Sequence, residues 1–178
     1  NAKFGDGDVS FKNVIFMNGV KTFEGTSFGQ GSKIFMNVEF NEGEVNFENT
    51  DFGQGRVSFK VARFGQGKID FKNVQFGQGD VIFEMAEFGD GHVNFRGVNF
   101  GDGLVDFTRS EFGKGQVSFI GTDFGEGDIN FVNTNFNEGK VSFKSATFSG
   151  GDSDFHYAAF GEGDIIFDRA KFGDGVVD

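Results

Sequence analysis

His92 and His156 are the only imidazoles in 178 residues, and no cysteine stands beside them as nucleophile or soft metal ligand. His156 lies in the run GDSDFHYAAF with Ser153 and the single tyrosine, Tyr157. A serine triad needs a base within hydrogen-bond reach of the hydroxyl and an acid behind that base. The two histidines fall in separate stretches with no distinctive serine or aspartate context. Ser153, His156 and Tyr157 are therefore read as an exposed turn with an irregular neighbour, binding being the lesser reading, and His92 as a solvated residue. No catalytic, cofactor-binding or metal-ligating residue is assigned, and the chain is not expected to be an enzyme.

The acidic runs GDGD and GEGD invite a calcium reading, because Gly/Asp-rich β-rolls bind that ion. The corresponding position elsewhere carries Arg56, Lys68 and Lys140, so a calcium-binding module stays a minor alternative. Runs of the type F-G-x-G are similar to glycine-rich phosphate loops, but they recur in eleven of the fifteen copies of the repeat and open no helix. Acids also recur two residues after a phenylalanine, at Glu42, Asp90, Asp102, Glu126, Glu138 and Glu162, with one cation at Lys114. They form the candidate acidic stripe.

What positions these residues is a metronome of phenylalanines spaced alternately by five and seven. The period is 12, F-G-x-G-x-V-x-F-x-N-V-x, with Phe4 at position 1 of the first copy. The rings at positions 1 and 8 make the expected core: Phe47, Phe52, Phe59, Phe64, Phe71, Phe76, Phe83, Phe88, Phe95, Phe100, Phe107, Phe112, Phe119, Phe124, Phe131 and Phe136. Positions 6 and 8, like 11 and 1, are two apart, so each pair shares one face of an extended strand. Helix needs spacings of three and four, which the glycine pairs forbid. Asn or Gly at position 10 predicts a left-handed turn residue. Position 4 is glycine in every copy, among them Gly55, Gly67, Gly79, Gly91, Gly103, Gly115 and Gly127. There a Cβ would clash or φ is positive. Lys21 and Lys33 break the pattern, occupying the inward position 6. Burial of an unpaired ammonium is costly, so a local register shift is expected to release them to solvent; the lesser reading has the two framing an anion site.

Five-residue units such as VNFRG-VNFGD, INFVN-TNFNE and VSFIG-TDFGE resemble the pentapeptide-repeat proteins, each 12-mer holding two units and a two-residue insertion. The resemblance covers the whole chain. It implies a right-handed quadrilateral β-helix with stacked phenylalanine inside, although the insertions and Val in place of Ala depart from the family pattern. One 12-mer per coil would cut the cross-section to about a third of the family's twenty-residue coil and overfill it. Two 12-mers scale the area by roughly 1.4, which suits four rings. The expected coil is therefore 24 residues, giving about seven coils and a rod of about 35 Å, against about 70 Å for a one-repeat coil.

Composition bounds the function. With 30 Gly, 29 Phe and no Pro or Cys, the chain is a repeat array that uses its backbone N–H groups in ladders. Absence of cysteine fits a reducing compartment such as the cytoplasm. The net charge of −11 argues against direct binding to nucleic acid or anionic membrane. Ranks of threonine suited to ice do not occur. The chain opens at Asn1 without methionine and stops at Asp178, both inside a repeat, so residues 1–178 are expected to be a single β-solenoid domain cut from a longer repeat protein. The expected function is a structural or interaction scaffold, a rigid spacer or docking surface for a protein partner, with end-to-end self-association as a further contact. The alternative, which the resemblance implies through family members that mimic DNA, is an acidic rod that binds the type II topoisomerase gyrase.

Overall fold

A computed structural model describes residues 2–178. Each V-x-F unit begins a strand only two residues long, because a sharp corner follows on either side. Val9–Ser10, Lys33–Ile34, Val57–Ser58, Val81–Ile82, Val105–Asp106, Ile129–Asn130 and Ser153–Asp154 stack as one parallel seven-stranded sheet. Lys21–Thr22, Val45–Asn46, Ile69–Asp70, Val93–Asn94, Val117–Ser118, Val141–Ser142 and Ile165–Ile166 form a second. Two further sides are narrower. One carries the strands Ile15–Phe16, Glu39–Phe40 and Arg63–Phe64 and continues as single bridges through Glu87, Glu111 and Asn135 to Ala159. The other runs as bridges from Lys3 through Ser27, Asp51 and Gln75 to Thr147, ending in the paired strands Thr147–Phe148 and Lys171–Phe172.

Every pairing joins residues 24 apart, as in Val57↔Val81↔Val105 and Ile69↔Val93↔Val117. The chain is thus a four-sided β-solenoid of about seven coils, two 12-mers to the coil. At about 4.8 Å per coil it is a rod of about 35 Å.

The corners have two causes. After each position-8 phenylalanine the amide of position 11 donates back to the ring residue's carbonyl, Val74 to Phe71 at 3.1 Å and Thr134 to Phe131 at 2.9 Å. Position 10 then sits at φ near 57°, the third residue of a type II turn. Asn13, Asn37, Asn49, Asn73 and Asn133 adopt it readily; Val61, Met85 and Tyr157 adopt it too, held by the ladder on either side. At position 4 the other cause dominates. A Cβ on Gly103 would lie 2.5 Å from the Gly79 carbonyl carbon and 2.6 Å from its oxygen. The corner backbones of successive coils touch, which excludes every side chain.

Inside, the 29 phenylalanines sort into four columns. Phe35, Phe59, Phe83 and Phe107 stack ring on ring at 4.7, 5.0 and 4.8 Å with planes within 11°. The facing column, Phe47, Phe71, Phe95 and Phe119, stacks likewise at 5.0, 4.9 and 5.0 Å. The two columns meet edge to face, Phe47 against Phe59 at 5.6 Å and 84°. Offset stacking along the axis and edge contacts across it are both favoured by the ring quadrupole. From Phe47 to Phe136 the expected core rings are exposed by 3% or less. Inward hydroxyls at position 11 are satisfied one coil back: Thr122 Oγ1 donates to the Phe95 carbonyl at 2.7 Å and Ser110 Oγ to Phe83 at 2.7 Å.

The register shift expected at Lys21 and Lys33 does not occur. Lys33 pairs in register with Val9 and Val57, and Lys21 with Val45. Both side chains stay inside, Lys33 with no exposure at all. The corner carbonyls explain why: Lys33 donates to one backbone oxygen of the widened corner and Lys21 to two, which offsets part of the cost of burying each ammonium.

Candidate interaction surfaces

Four residues separate the Lys33 backbone from the carbonyl that its Nζ reaches, Gly29 O, at 2.5 Å. Lys21 Nζ donates to Asn41 O at 2.5 Å and Glu42 O at 2.9 Å. The two lysines belong to opposite sheets and are each consumed by backbone oxygens, so they do not frame a common anion site. Burial pushes both lysines below the ordinary value of 10.5; nearby acids, Glu42 for Lys21 and Asp51, Asp6 and Asp8 for Lys33, oppose the shift.

The 24-residue coil sets Glu42, Asp90, Glu138 and Glu162 on one corner of the rod and Asp102 and Glu126 on the opposite corner, all solvent-exposed. Lys114 interrupts the first corner and pairs with Glu138 at 3.7 Å. Several corner acids also have a structural task that sequence reading missed. Position-5 amides have no partner in their own coil, and the carboxylates accept them: Asp80 Oδ1 from Leu104 N–H at 3.2 Å, Asp8 from Ser32 at 2.8 Å, Asp128 from Asp152 at 3.1 Å. At position 3, Asp90 Oδ1 accepts Lys114 N–H at 3.1 Å. His92, expected to be merely solvated, takes the same place, its Nδ1 accepting Gln116 N–H at 3.0 Å. The one sequence signal for this was the recurrence of short acceptors at the corner.

Ser153 and His156 are not brought together. Ser153 occupies the inward slot, 2% exposed, whereas Tyr157 points out with 81% exposure. His156 N–H donates to Asp154 Oδ1 at 2.8 Å, and that bond holds the Asp154 carboxyl below the usual carboxylate range, with the imidazole Nδ1 3.0 Å from the same oxygen. On the second sheet Lys68 Nζ donates to the buried Asp70 carboxylate at 2.5 Å; this bond raises the lysine. Ion pairs elsewhere run mostly between coils, Lys72–Glu48 at 2.7 Å and Lys144–Asp168 at 3.0 Å. Among the described residues no three His, Cys, Asp or Glu side chains are grouped to hold a metal ion. No helix of the described residues is long and apolar enough to cross a membrane.

Grooves on this surface are shallow. One, about 290 Å³, lies on the narrow Ile15–Ala159 side and is lined by Asn18, Glu39, Glu42, Arg63 and Glu87 with Phe40 and Phe64. A more polar one, about 420 Å³, is lined by Asp51, Gln54, Gln75, Gln78, Asn99 and Asp102 on the opposite narrow side.

Four short sides, each carrying one inward ring and closed by turn residues, reproduce the five-residue unit read in the sequence. The chain is a β-solenoid of paired pentapeptide-like repeats. No protein-family profile matches it, and no curated protein sequence does. Among solved structures the solenoid is similar to HetL, a pentapeptide repeat protein involved in heterocyst differentiation regulation from the cyanobacterium Nostoc sp. strain PCC 7120. Identity is 11%, covering 93% of this chain and 90% of HetL, with a TM-score of 0.24. It is also similar to QnrB1, a plasmid-mediated fluoroquinolone resistance protein, at 13% identity over 99% of this chain and 90% of that one, TM-score 0.22. Scores this low carry no argument, so the architecture of the solenoid rests on its own 24-residue register.

Proposed function

We propose that this solenoid is a non-enzymatic scaffold, a rigid spacer whose flat sides and corners present docking surfaces to a protein partner. The observation that carries the reading is the uninterrupted stacking of four phenylalanine columns under parallel ladders in strict register. A close-packed interior of this kind resists bending and leaves the outward positions free to vary. Outward residues do vary: position 7 of the second sheet runs Thr22, Asn46, Asp70, Asn94, Ser118, Ser142, Ile166 without rank or motif. End-to-end self-association accompanies the reading as a further contact along the rod axis.

The DNA-mimic alternative draws on the two acidic corners. Spread over about 35 Å, the net charge of −11 amounts to one negative charge per about 3 Å, roughly half the density of duplex DNA at about 1.7 Å. Lys114 also breaks the run of acids on one of the two corners, which favours the scaffold.

Small-angle scattering over a concentration series, with light scattering for mass, tests the proposal. The scaffold predicts a stiff rod of about 35 Å that lengthens along its axis as concentration rises. A fixed dimer of DNA-like width that inhibits gyrase supercoiling would overturn it in favour of the mimic.

A further inference from the structure

At one corner the first coil breaks with the other coils at three outward positions together. Ile15 stands where the following coils carry Glu39, Arg63 and Glu87, and Val20 where they carry Glu44, Lys68 and His92. Met17 replaces a corner residue that is otherwise Gly or Asn. The three side chains are 56%, 70% and 73% exposed for Ile15, Val20 and Met17. These are lateral, outward-facing positions, whose neighbours one coil on are Glu39, Asn41 and Glu44. Single exposed apolar residues are ordinary; a contiguous group confined to one corner of a repeat that elsewhere places charge there marks an interaction site.

The surroundings choose the occupant. Glu39, Glu42 and Glu44 border the group from the next coil, and Glu24 lies beyond it on the second sheet. Glu39 and Glu44 already meet Arg63 at 3.2 Å and Lys68 at 3.9 Å, whereas Glu42 and Glu24 have no ion pair among the described residues. The groove of about 290 Å³ includes Asn18 of the same coil and Glu39, the register partner of Ile15, together with Glu42, Glu87 and Arg63, which pairs with Glu39 and, at 3.6 Å, with Glu87. An apolar centre with an anionic rim and an adjoining acidic groove fits an apolar side chain flanked by cations. The same rim repels a second copy of itself about a two-fold, and it repels an anionic lipid surface.

We propose that Ile15, Met17 and Val20 form a docking surface for a protein segment bearing an apolar residue flanked by arginine or lysine. It deepens the scaffold reading by placing one docking surface on the rod. The partner's apolar residue covers Met17, whose flexible thioether adapts to its shape, and a neighbouring arginine meets Glu42, the groove's one acid with no ion pair among the described residues. With so few side chains the contact is weak and transient, and its affinity falls with salt.

The test is a nuclear magnetic resonance titration of the isotope-labelled 178-residue chain with a capped peptide Arg-Arg-Leu-Phe-Arg-Arg and its counterpart with Glu for Arg. The expected result is saturable shifts at amides of residues 14–22 and 38–45 with the arginine peptide alone. Met17→Asp and Ile15→Glu, both on exposed side chains and checked by unchanged melting, each weaken it at least tenfold. Shifts spread along both acidic corners and indifferent to Met17→Asp would overturn the proposal, as would equal binding of the glutamate peptide or none of either. Self-association abolished by Met17→Asp would replace the partner with a second copy. None of these outcomes alters the rod length that tests the scaffold reading itself.

Discussion

The ammonium of Lys33 donates to the Gly29 carbonyl at 2.5 Å while no part of the side chain reaches solvent. One neutral oxygen compensates a buried charge poorly, and burial lowers the lysine from its ordinary 10.5. The sign of the linkage is fixed by that direction. Below the lowered native value Lys33 is charged in both states, and the cost of burying it is at its full size. As pH rises toward 10.5 the native state releases its proton first, so stability rises; above 10.5 the dependence ends. Lys33→Met should therefore stabilise the rod by about 1–4 kcal/mol at neutral pH, with the gap to the parent closing on the alkaline side. Urea melts across a pH series check this; a gap that is absent or constant would contradict it.

Phe95 has Phe71 and Phe119 above and below at 4.9 and 5.0 Å and takes the edges of Phe83 and Phe107, each at 5.7 Å. No neighbour can close the space it leaves without breaking a column. Phe95→Ala should cost about 3–5 kcal/mol in a denaturant melt, and Phe95→Leu distinctly less.

Two glycines separate the two corner mechanisms. Gly103 has ordinary φ, yet its Cβ would strike the Gly79 backbone, whereas Gly121 has φ of 64° and nothing within 4 Å. Gly103→Ala should destabilise by about 3 kcal/mol through forced separation of coils. Gly121→Ala should cost about 1–2 kcal/mol of left-handed strain, and Gly121→Asn far less. Equal losses for the two alanines would show that one mechanism serves both corners.

Val61 is β-branched and held at φ 56°. Asn37 Nδ2, one coil earlier at the same turn position, donates to Asn13 Oδ1 at 3.1 Å. Val61→Asn should relieve about 1 kcal/mol of strain and extend that ladder by one rung, raising the melting temperature.

Most of the fold was legible because each turn of the coil repeats one physical problem. Phe95 and Phe100, five apart, with Phe107 seven further on, already required inward rings on successive short strands, and the volume of four rings selected the 24-residue coil. Asn13 and Asn73 announced the left-handed turn. Legibility ended where satisfaction comes from another coil. The Gly29 oxygen that holds Lys33 is a corner group whose vacancy appears only once the corner is folded, so a general rule about buried charge gave the wrong register. Asp80 looked like surface charge because the amide it accepts, at Leu104, lies 24 residues away. The corner of Ile15, Met17 and Val20 was equally hidden, since those residues become neighbours of Glu39 and Glu44 only through the stacking register.

The central claim is that residues 24 apart are neighbours and residues 12 apart are not. Asp106 and Asn130 are register partners on the first sheet, whereas Ser118 lies on the second. The chain has no cysteine, so pairs can be introduced cleanly. Adjacent strands at about 4.8 Å fall within the span a disulfide bridges. Mild oxidation should close Asp106→Cys with Asn130→Cys inside one molecule and leave Asp106→Cys with Ser118→Cys as free thiols. Intramolecular closure of the second pair would contradict the 24-residue coil and every face assigned from it.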